Sequence, residues 1–198
     1  MSTVIGIGGK LRSGKDTVAD RLVEDHGFVK TSMGEVLLSH MLAVDPWIKV
    51  RITEAYRLGL DASVQVRRAS QLVAILGYTE AKTIADFRDY MQKDGTEGGR
   101  DLLGEDVWVN LMARQINEHL LEGRSVVVTG VRFPNELAMV RSFAGRAWWV
   151  ERPDLAETSA ATHASERGVD PIDFDTYISN GGTLDDLYEM VDTLAVRL

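Results

Sequence analysis

The chain has 198 residues, no cysteine, and a formal charge of −8 at pH 7 from 30 acidic and 22 basic residues. That length suits one domain, or one domain with a mobile insertion, and allows a substantial core. The charge argues against a nucleic-acid surface, the missing cysteines exclude disulfides and thiolate chemistry, and no apolar run approaches the ~20 residues of a membrane span.

The first element is an apolar strand, Val4 to Ile7, which runs into Gly9-Lys10-Leu11-Arg12-Ser13-Gly14-Lys15-Asp16-Thr17. Gly9, four intervening residues, Gly14 and Lys15 fit the phosphate-loop pattern up to its last position. Glycines let backbone N–H groups converge on phosphate oxygens without Cβ clashes. The helix that follows offers unpaired N–H groups and a positive dipole end to the same anion. Lys15 then reaches the β- and γ-phosphates as a point charge. Asp16 stands where the pattern has the Ser or Thr that touches magnesium. Either Thr17 supplies that hydroxyl, or Asp16 acts through a bound water. The rival dinucleotide fingerprint starts well at Gly6-Ile7-Gly8 but needs a third glycine where Leu11 stands, so it fails.

Val18, Ala19, Leu22 and Val23 recur at helical spacing after the loop, and Gly27 ends that helix. A strand is expected over Phe28 to Thr31 and a helix over Glu35 to Val44, with Trp47 after Pro46 at a helix end. Further helices are expected over Val64 to Leu76, Ile84 to Gln92 and Val107 to Leu121. Between the last two, Gly95-Thr96-Glu97-Gly98-Gly99-Arg100-Asp101 reads as a polar loop able to close on an anion, flanked by Gln92 and Trp108 as candidate base contacts. Ser125 to Val131 holds the continuous run Val126-Val127-Val128, the mark of a central strand buried on both faces. It leads to Arg132, then to Pro134, Asn135 and Glu136 at the start of a helix over Asn135 to Phe143. Ligands of open α/β sheets lie outside the carboxyl ends of strands, which favours Arg132 as a phosphate contact.

A fourth strand, Ala147 to Glu151, ends at Arg152-Pro153. A small-residue stretch follows and ends in His163-Ala164-Ser165-Glu166, with the pattern of a hinged flap. His163 and Glu166 suit holding that flap better than base catalysis, which phosphoryl transfer hardly needs. Trp148 and Trp149 read as sheet and core residues. A last strand, Thr176 to Ser179, and a helix, Leu184 to Val196, close the pattern. Strands alternating with helices mean an α/β fold whose parallel sheet is covered on both faces.

In order, the stretches GKLRSGKDTVA, DPWIKV, MQKDGTEGGRDLLGEDVWV, VVVTGVRFPNE, ERP, HASE and ISNGGTLDDL resemble the phage-type deoxynucleoside monophosphate kinases, a P-loop family. They span nearly the whole chain, and GTEGGR, RFPNE and HASE are far more specific than the phosphate loop alone. The resemblance implies a three-layer α/β/α P-loop kinase with a five-stranded parallel sheet over residues 1–32 and 122–198. It also implies a helical monophosphate-binding insertion over about 33–121 and a lid over about 152–168. It implies ATP, Mg²⁺ and direct in-line transfer to a deoxynucleoside 5′-monophosphate. Gly9, Lys10, Arg12, Ser13, Gly14, Lys15, Asp16 and Thr17 would bind ATP, with Asn180 and Gly181 beside its base. Asp16 and Thr17 would serve the metal. Gln92, Glu97, Arg100, Trp108, Arg132 and Glu136 would bind the monophosphate, and Lys15, Arg132 and Arg152 would act on the transferred group.

One departure stands out: Gly130 occupies a strand-end position where the family often carries Asp, leaving Asp16 or Glu136 to organise the metal. Expected partners are small molecules, with no nucleic acid or membrane, and a homodimer is one option for the assembly. Absent a secretory leader, the cytosol is the expected compartment, the host's if the chain is phage-encoded. The alternatives are dephospho-coenzyme A kinase or phosphomevalonate kinase chemistry, and a P-loop ATPase switch. The first places an Asp just after the second strand, where this chain has Lys30-Thr31-Ser32-Met33.

Overall fold

In a computed structural model, which describes residues 2–153 and 168–197, the elements follow the alternation closely. β1 (Val4–Gly8) leads to α1 (Lys15–His26), β2 (Val29–Ser32) and α2 (Met33–Val44). Short strands β3 (Trp47–Lys49) and β4 (Val66–Arg68) flank α3 (Ile52–Arg57). Then come α4 (Ala69–Ala81), α5 (Ala85–Lys93), a π-helical turn (Asp94–Asp101) and α6 (Val107–Leu121). β5 (Val126–Val131), α7 (Pro134–Ser142), β6 (Arg146–Glu151), β7 (Thr176–Ser179) and α8 (Leu184–Ala195) end the series.

The chain divides into two compact units, Met1–Met33 with Val109–Leu198, and Gly34–Trp108. The first carries a five-stranded sheet in the order β2-β5-β1-β6-β7 with every pairing parallel. Parallel strands put all their carboxyl ends on one edge, so the segments after β1, β5, β6 and β7 are neighbours there. On one face of β1, Ile5 and Ile7 join Val18 and Leu22 of α1, Trp148 of β6 and Leu187 and Val191 of α8 in a buried core. On the other face the strand carries glycine. A Cβ on Gly6 would lie 2.7 Å from Val140 of α7, and one on Gly8 would lie 2.3 Å from the Phe174 ring. These glycines therefore serve close packing on β1, a physical reason for Gly6-Ile7-Gly8 that needs no dinucleotide.

Gly27 ends α1 in the left-handed conformation at φ 68°, with its N–H on the Leu22 carbonyl. Trp148 and Trp149 are both buried sheet residues, the latter edge-on to Phe174 at 5.1 Å.

The second unit departs from the sequence expectation in three places. Residues 66–68 are strand rather than helix, paired antiparallel with Trp47–Lys49 in a hairpin that holds Trp47 as well. Arg68 stacks its guanidinium 4.1 Å from the Trp47 ring and donates to the Asp45 carbonyl at 2.7 Å, which favours the pairing over helical periodicity. The helix then starts at Ala69 and runs past Leu76 to Ala81 through a kink at Gly77, φ 76°. Residues 94–101, expected as a loop, continue α5 as a π-helical turn. From Val109 onward α6 groups with the sheet unit.

α1 and α8 are joined by polar groups as well as by the core. Asp192 accepts from Arg21 Nε at 3.0 Å and Nη2 at 2.7 Å, and lies 2.8 Å from His26 Nε2. Hydrogen bonds from Arg21, then His26, hold its carboxyl below the usual carboxylate range. A depressed native value makes this stabilisation complete above the unfolded value of ~3.9 and lost as pH falls below it. Asp192→Asn should therefore have a lower urea midpoint than the parent at pH 7. The gap should close as the pH is taken down towards 2.

Candidate active site

The phosphate loop is shaped by three residues outside ordinary backbone space: Gly9 at φ 141°, Arg12 at φ 62° and Gly14 at φ 102°. A Cβ on Gly9 would stand 2.2 Å from the Val150 carbonyl oxygen, so the loop lies directly on β6. Within the loop Ser13 N–H donates to the Lys10 carbonyl at 3.2 Å, and Lys15 Nζ donates to that carbonyl at 2.5 Å. Gly14 is the N-cap of α1 and brings no side chain to cap the leading N–H groups. Ser13 is fully buried, and its Oγ has no hydrogen-bond partner among the described residues. A cradle of glycines too tight for side chains, an orphaned buried hydroxyl and a helix N-terminus together fit a phosphate chain.

Asp16 is exposed and ion-paired with Lys30 of β2 at 3.0 Å, and Asp20 meets the same ammonium at 2.9 Å. Burial acts to lower the Lys30 pKa, but hydrogen bonds to Asp20 and Asp16 outweigh it and raise the value. Thr17 follows, half-buried. No group of three or more His, Cys, Asp or Glu suited to a metal occurs among the described residues. Of the two residues expected to serve the metal, Asp16 supplies a carboxylate, and Mg²⁺ is commonly held by one or two carboxylates plus substrate oxygens.

β5 is irregular where it matters. Ile7 pairs with Thr129 but Gly8 with Val131, so Gly130 is the extra residue of a bulge, at φ 76°. The exposed Arg132 comes next. Glu136, only 2% exposed, accepts from the backbone N–H of Arg132 at 2.7 Å and of Phe133 at 3.2 Å. Its carboxylate therefore fixes the turn that carries Arg132. A Cβ on Gly168 would stand 2.3 Å from the Arg132 carbonyl, so Gly168 packs closely against this turn. Arg152 is exposed after β6. The rest of the expected lid, with His163 and Glu166, lies outside the described residues. Asn180, after β7, donates from Nδ2 to the Ser13 carbonyl at 2.9 Å, and Gly181 packs 3.4 Å from Pro153 by its virtual Cβ.

The remaining candidates belong to the second unit. Gln92 and Glu97 are exposed, and Arg100 is half-buried on the π-helical turn. Single-turn π-bulges within helices are frequent at functional sites. Trp108 is 3% exposed, and its Nε1–H donates to the Gly95 carbonyl at 2.8 Å. Its ring lies where a Cβ on Gly99 would sit at 2.3 Å, and edge-on to His40 at 5.3 Å. Asp94 lies 2.8 Å from His40 Nδ1. Trp108 and the His40–Asp94 pair thus support the turn that presents Glu97 and Arg100. His40 and Asp94 escaped sequence reasoning because they lie 54 residues apart, and Lys30 because its partners Asp16 and Asp20 sit on the preceding helix with no spacing that marks the pairing.

A family model described as deoxynucleotide monophosphate kinase matches residues 35–191. The chain belongs to that family, and it is a monophosphate kinase. The match begins after the phosphate loop, so the reading of residues 9–17 stands on their own geometry. No curated protein matches the sequence. Among solved structures, the chain is similar to dephospho-CoA kinase from Campylobacter jejuni at 13% identity and TM-score 0.50, covering 100% of this chain and 97% of that one. It is also similar to TT1252 from Thermus thermophilus at 18% identity and TM-score 0.49, covering 100% and 98%. A third likeness, to shikimate kinase from Aquifex aeolicus, has 14% identity and TM-score 0.45, covering 98% and 96%. At such identities the first of these likenesses bears on the fold alone. The kinase carries no described helix long and apolar enough to cross a membrane.

If Trp108 supports the turn, Trp108→Phe should cost about 1–2 kcal/mol by stranding the Gly95 carbonyl. Gly99→Ala should cost about 1–3 kcal/mol by driving a methyl into the indole. Urea midpoints of the two variants test both figures.

Proposed function

We propose that this kinase transfers the γ-phosphoryl group of ATP to a deoxynucleoside 5′-monophosphate. The observation that carries the reading is the glycine cradle of residues 9–14, with Lys15 at its end, on the same sheet edge as Arg132. The family supplies the acceptor class. Net charge −8 favours a small phosphorylated partner over a polyanion.

The loop N–H groups and Lys15 bind the triphosphate and draw charge towards the leaving oxygen. A phosphate oxygen of the acceptor forms the new bond to the γ-phosphorus as the bond to the β-bridging oxygen breaks, and ADP leaves. Arg132, held by Glu136, stabilises the charge spread over the transferred group, joined by Arg152. Gln92 and Glu97 contact the monophosphate, while Trp108 acts through the turn it supports. Asp16 and Thr17 would hold Mg²⁺, which would neutralise phosphate charge. No covalent intermediate is required.

Purified protein with ATP and Mg²⁺, offered each deoxynucleoside monophosphate in turn, should form diphosphate and ADP in equal amounts. Without acceptor, ATP turnover should be slow. Lys15→Ala and Arg132→Ala should each lower kcat/KM by roughly 10²–10³-fold, the usual effect of removing one charge-stabilising contact. Brisk hydrolysis that no monophosphate stimulates would sink the proposal and favour an ATPase. Turnover with other phosphorylated small molecules alone would move the chain to a different acceptor.

A further inference from the structure

The side chain of Asn180 faces the phosphate loop. β7 ends at Ser179, which pairs with Glu151, and the Asn180 N–H donates to the Glu151 carbonyl at 2.7 Å. This bond anchors the backbone to β6. Nδ2 then donates to the Ser13 carbonyl at 2.9 Å. A carbonyl only accepts, so the carboxamide must present its NH₂ group there. Gly14 is cut to this contact, because a Cβ on it would stand 2.3 Å from Nδ2.

We propose that Asn180 is a positioning residue for the phosphate loop, fixing the Ser13–Gly14 peptide through the Ser13 carbonyl. The proposal rests on the reading of residues 9–15 as a triphosphate cradle. A trans peptide is planar, with its C=O and N–H pointing opposite ways. Holding the Ser13 carbonyl on Asn180 therefore aims the Gly14 N–H away from Asn180. A flip of that peptide would replace a donor with an acceptor and set a carbonyl dipole against phosphate. The neighbourhood makes such a flip accessible, since it turns on ψ of Ser13 and φ of Gly14, and Gly14 adopts either sign of φ at little cost. The other end of the loop is fixed differently, by the contact of Gly9 with Val150. Val150 pairs with Ile178, so neighbouring residues of the β6–β7 pair hold both ends of the loop.

The nucleobase plays no part in this role, which sets it apart from a base-reading one. Binding of ATP, GTP and inorganic triphosphate to the whole chain should be measured by calorimetry with Mg²⁺ and no acceptor. Asn180→Ala should weaken all three by about tenfold, the worth of one hydrogen bond, and leave the ATP-to-GTP ratio unchanged. Asn180→Asp should weaken them further, since its carboxylate opposes both the Ser13 carbonyl and the phosphates. Asn180→Ser, which keeps a small polar side chain, carries the same comparison if the alanine variant fails to fold. Unchanged affinities, or a loss confined to ATP with inorganic triphosphate unaffected, would overturn the proposal. Because no acceptor is present, failure of monophosphate phosphorylation leaves the result readable. A parent protein that binds none of the three ligands would instead remove the cradle reading, and this proposal with it.

Discussion

The approach of Gly9 to the Val150 carbonyl is the constraint from which the sheet edge is built. At 2.2 Å from a virtual Cβ, it admits no side chain, so the loop must leave β1 flat against β6 before rising to meet α1. That route is available only because β1 is central, with β5 on one side and β6 on the other. The same strand keeps Ile5 and Ile7 for the core shared with α1 and α8, and glycines for the opposite face. Those glycines bring α7 and Phe174 against the strand. The turn before α7 carries Arg132, so the packing of β1 and the placing of the basic group have one origin.

The second unit solves a different problem, that of presenting polar groups from a glycine-rich segment without leaving it to fluctuate. Asp94–Asp101 contains three glycines, which cost conformational entropy when ordered. Their compensation is local. Gly95 gives its carbonyl to Trp108, Gly99 lies against the same indole, and Asp94 meets His40. Each contact needs either the lack of a Cβ or a buried donor beside it. The aromatic residue adjoining the GTEGGR stretch is thereby explained as a support rather than as an exposed stacking face.

Much of this was legible in the sequence because the signals were local. The β7 strand appears at Thr176–Ser179 as its alternation and flanking polar residues indicate, and Val126-Val127-Val128 does lie between two neighbouring strands. Gly27 stops α1 where a left-handed cap is wanted. What escaped notice rests on non-local pairing. β3 and β4 have three residues each, too few to show alternation, and their register is tied by Arg68 over Trp47. The π-helical turn reads as a loop because its glycines suit either state, and Trp108 and His40 decide between them. In the site, Lys15 and Arg132 were marked by pattern and strand position. The engagement of Glu136 with the backbone of the turn is the ordinary capping geometry its place in the first turn of α7 allows.

Gly130 ties these threads to the metal question. Space is no obstacle to a larger residue, since a Cβ there would meet nothing within 4 Å. Its backbone lies at φ 76°, a region open to glycine and, among other residues, chiefly to Asn and Asp. That conformation belongs to the bulge which shifts Gly8 from Thr129 to Val131 and delivers Arg132 into the turn held by Glu136. An Asp at this strand end is therefore opposed neither by space nor strongly by the backbone, as Asp45 at φ 49° illustrates. With Gly130 in place, the acid that the loop motif itself carries is Asp16, and it already shares Lys30 with Asp20. A cation proposed at Asp16 would meet that ammonium as well, and would be held chiefly by the phosphates it accompanies.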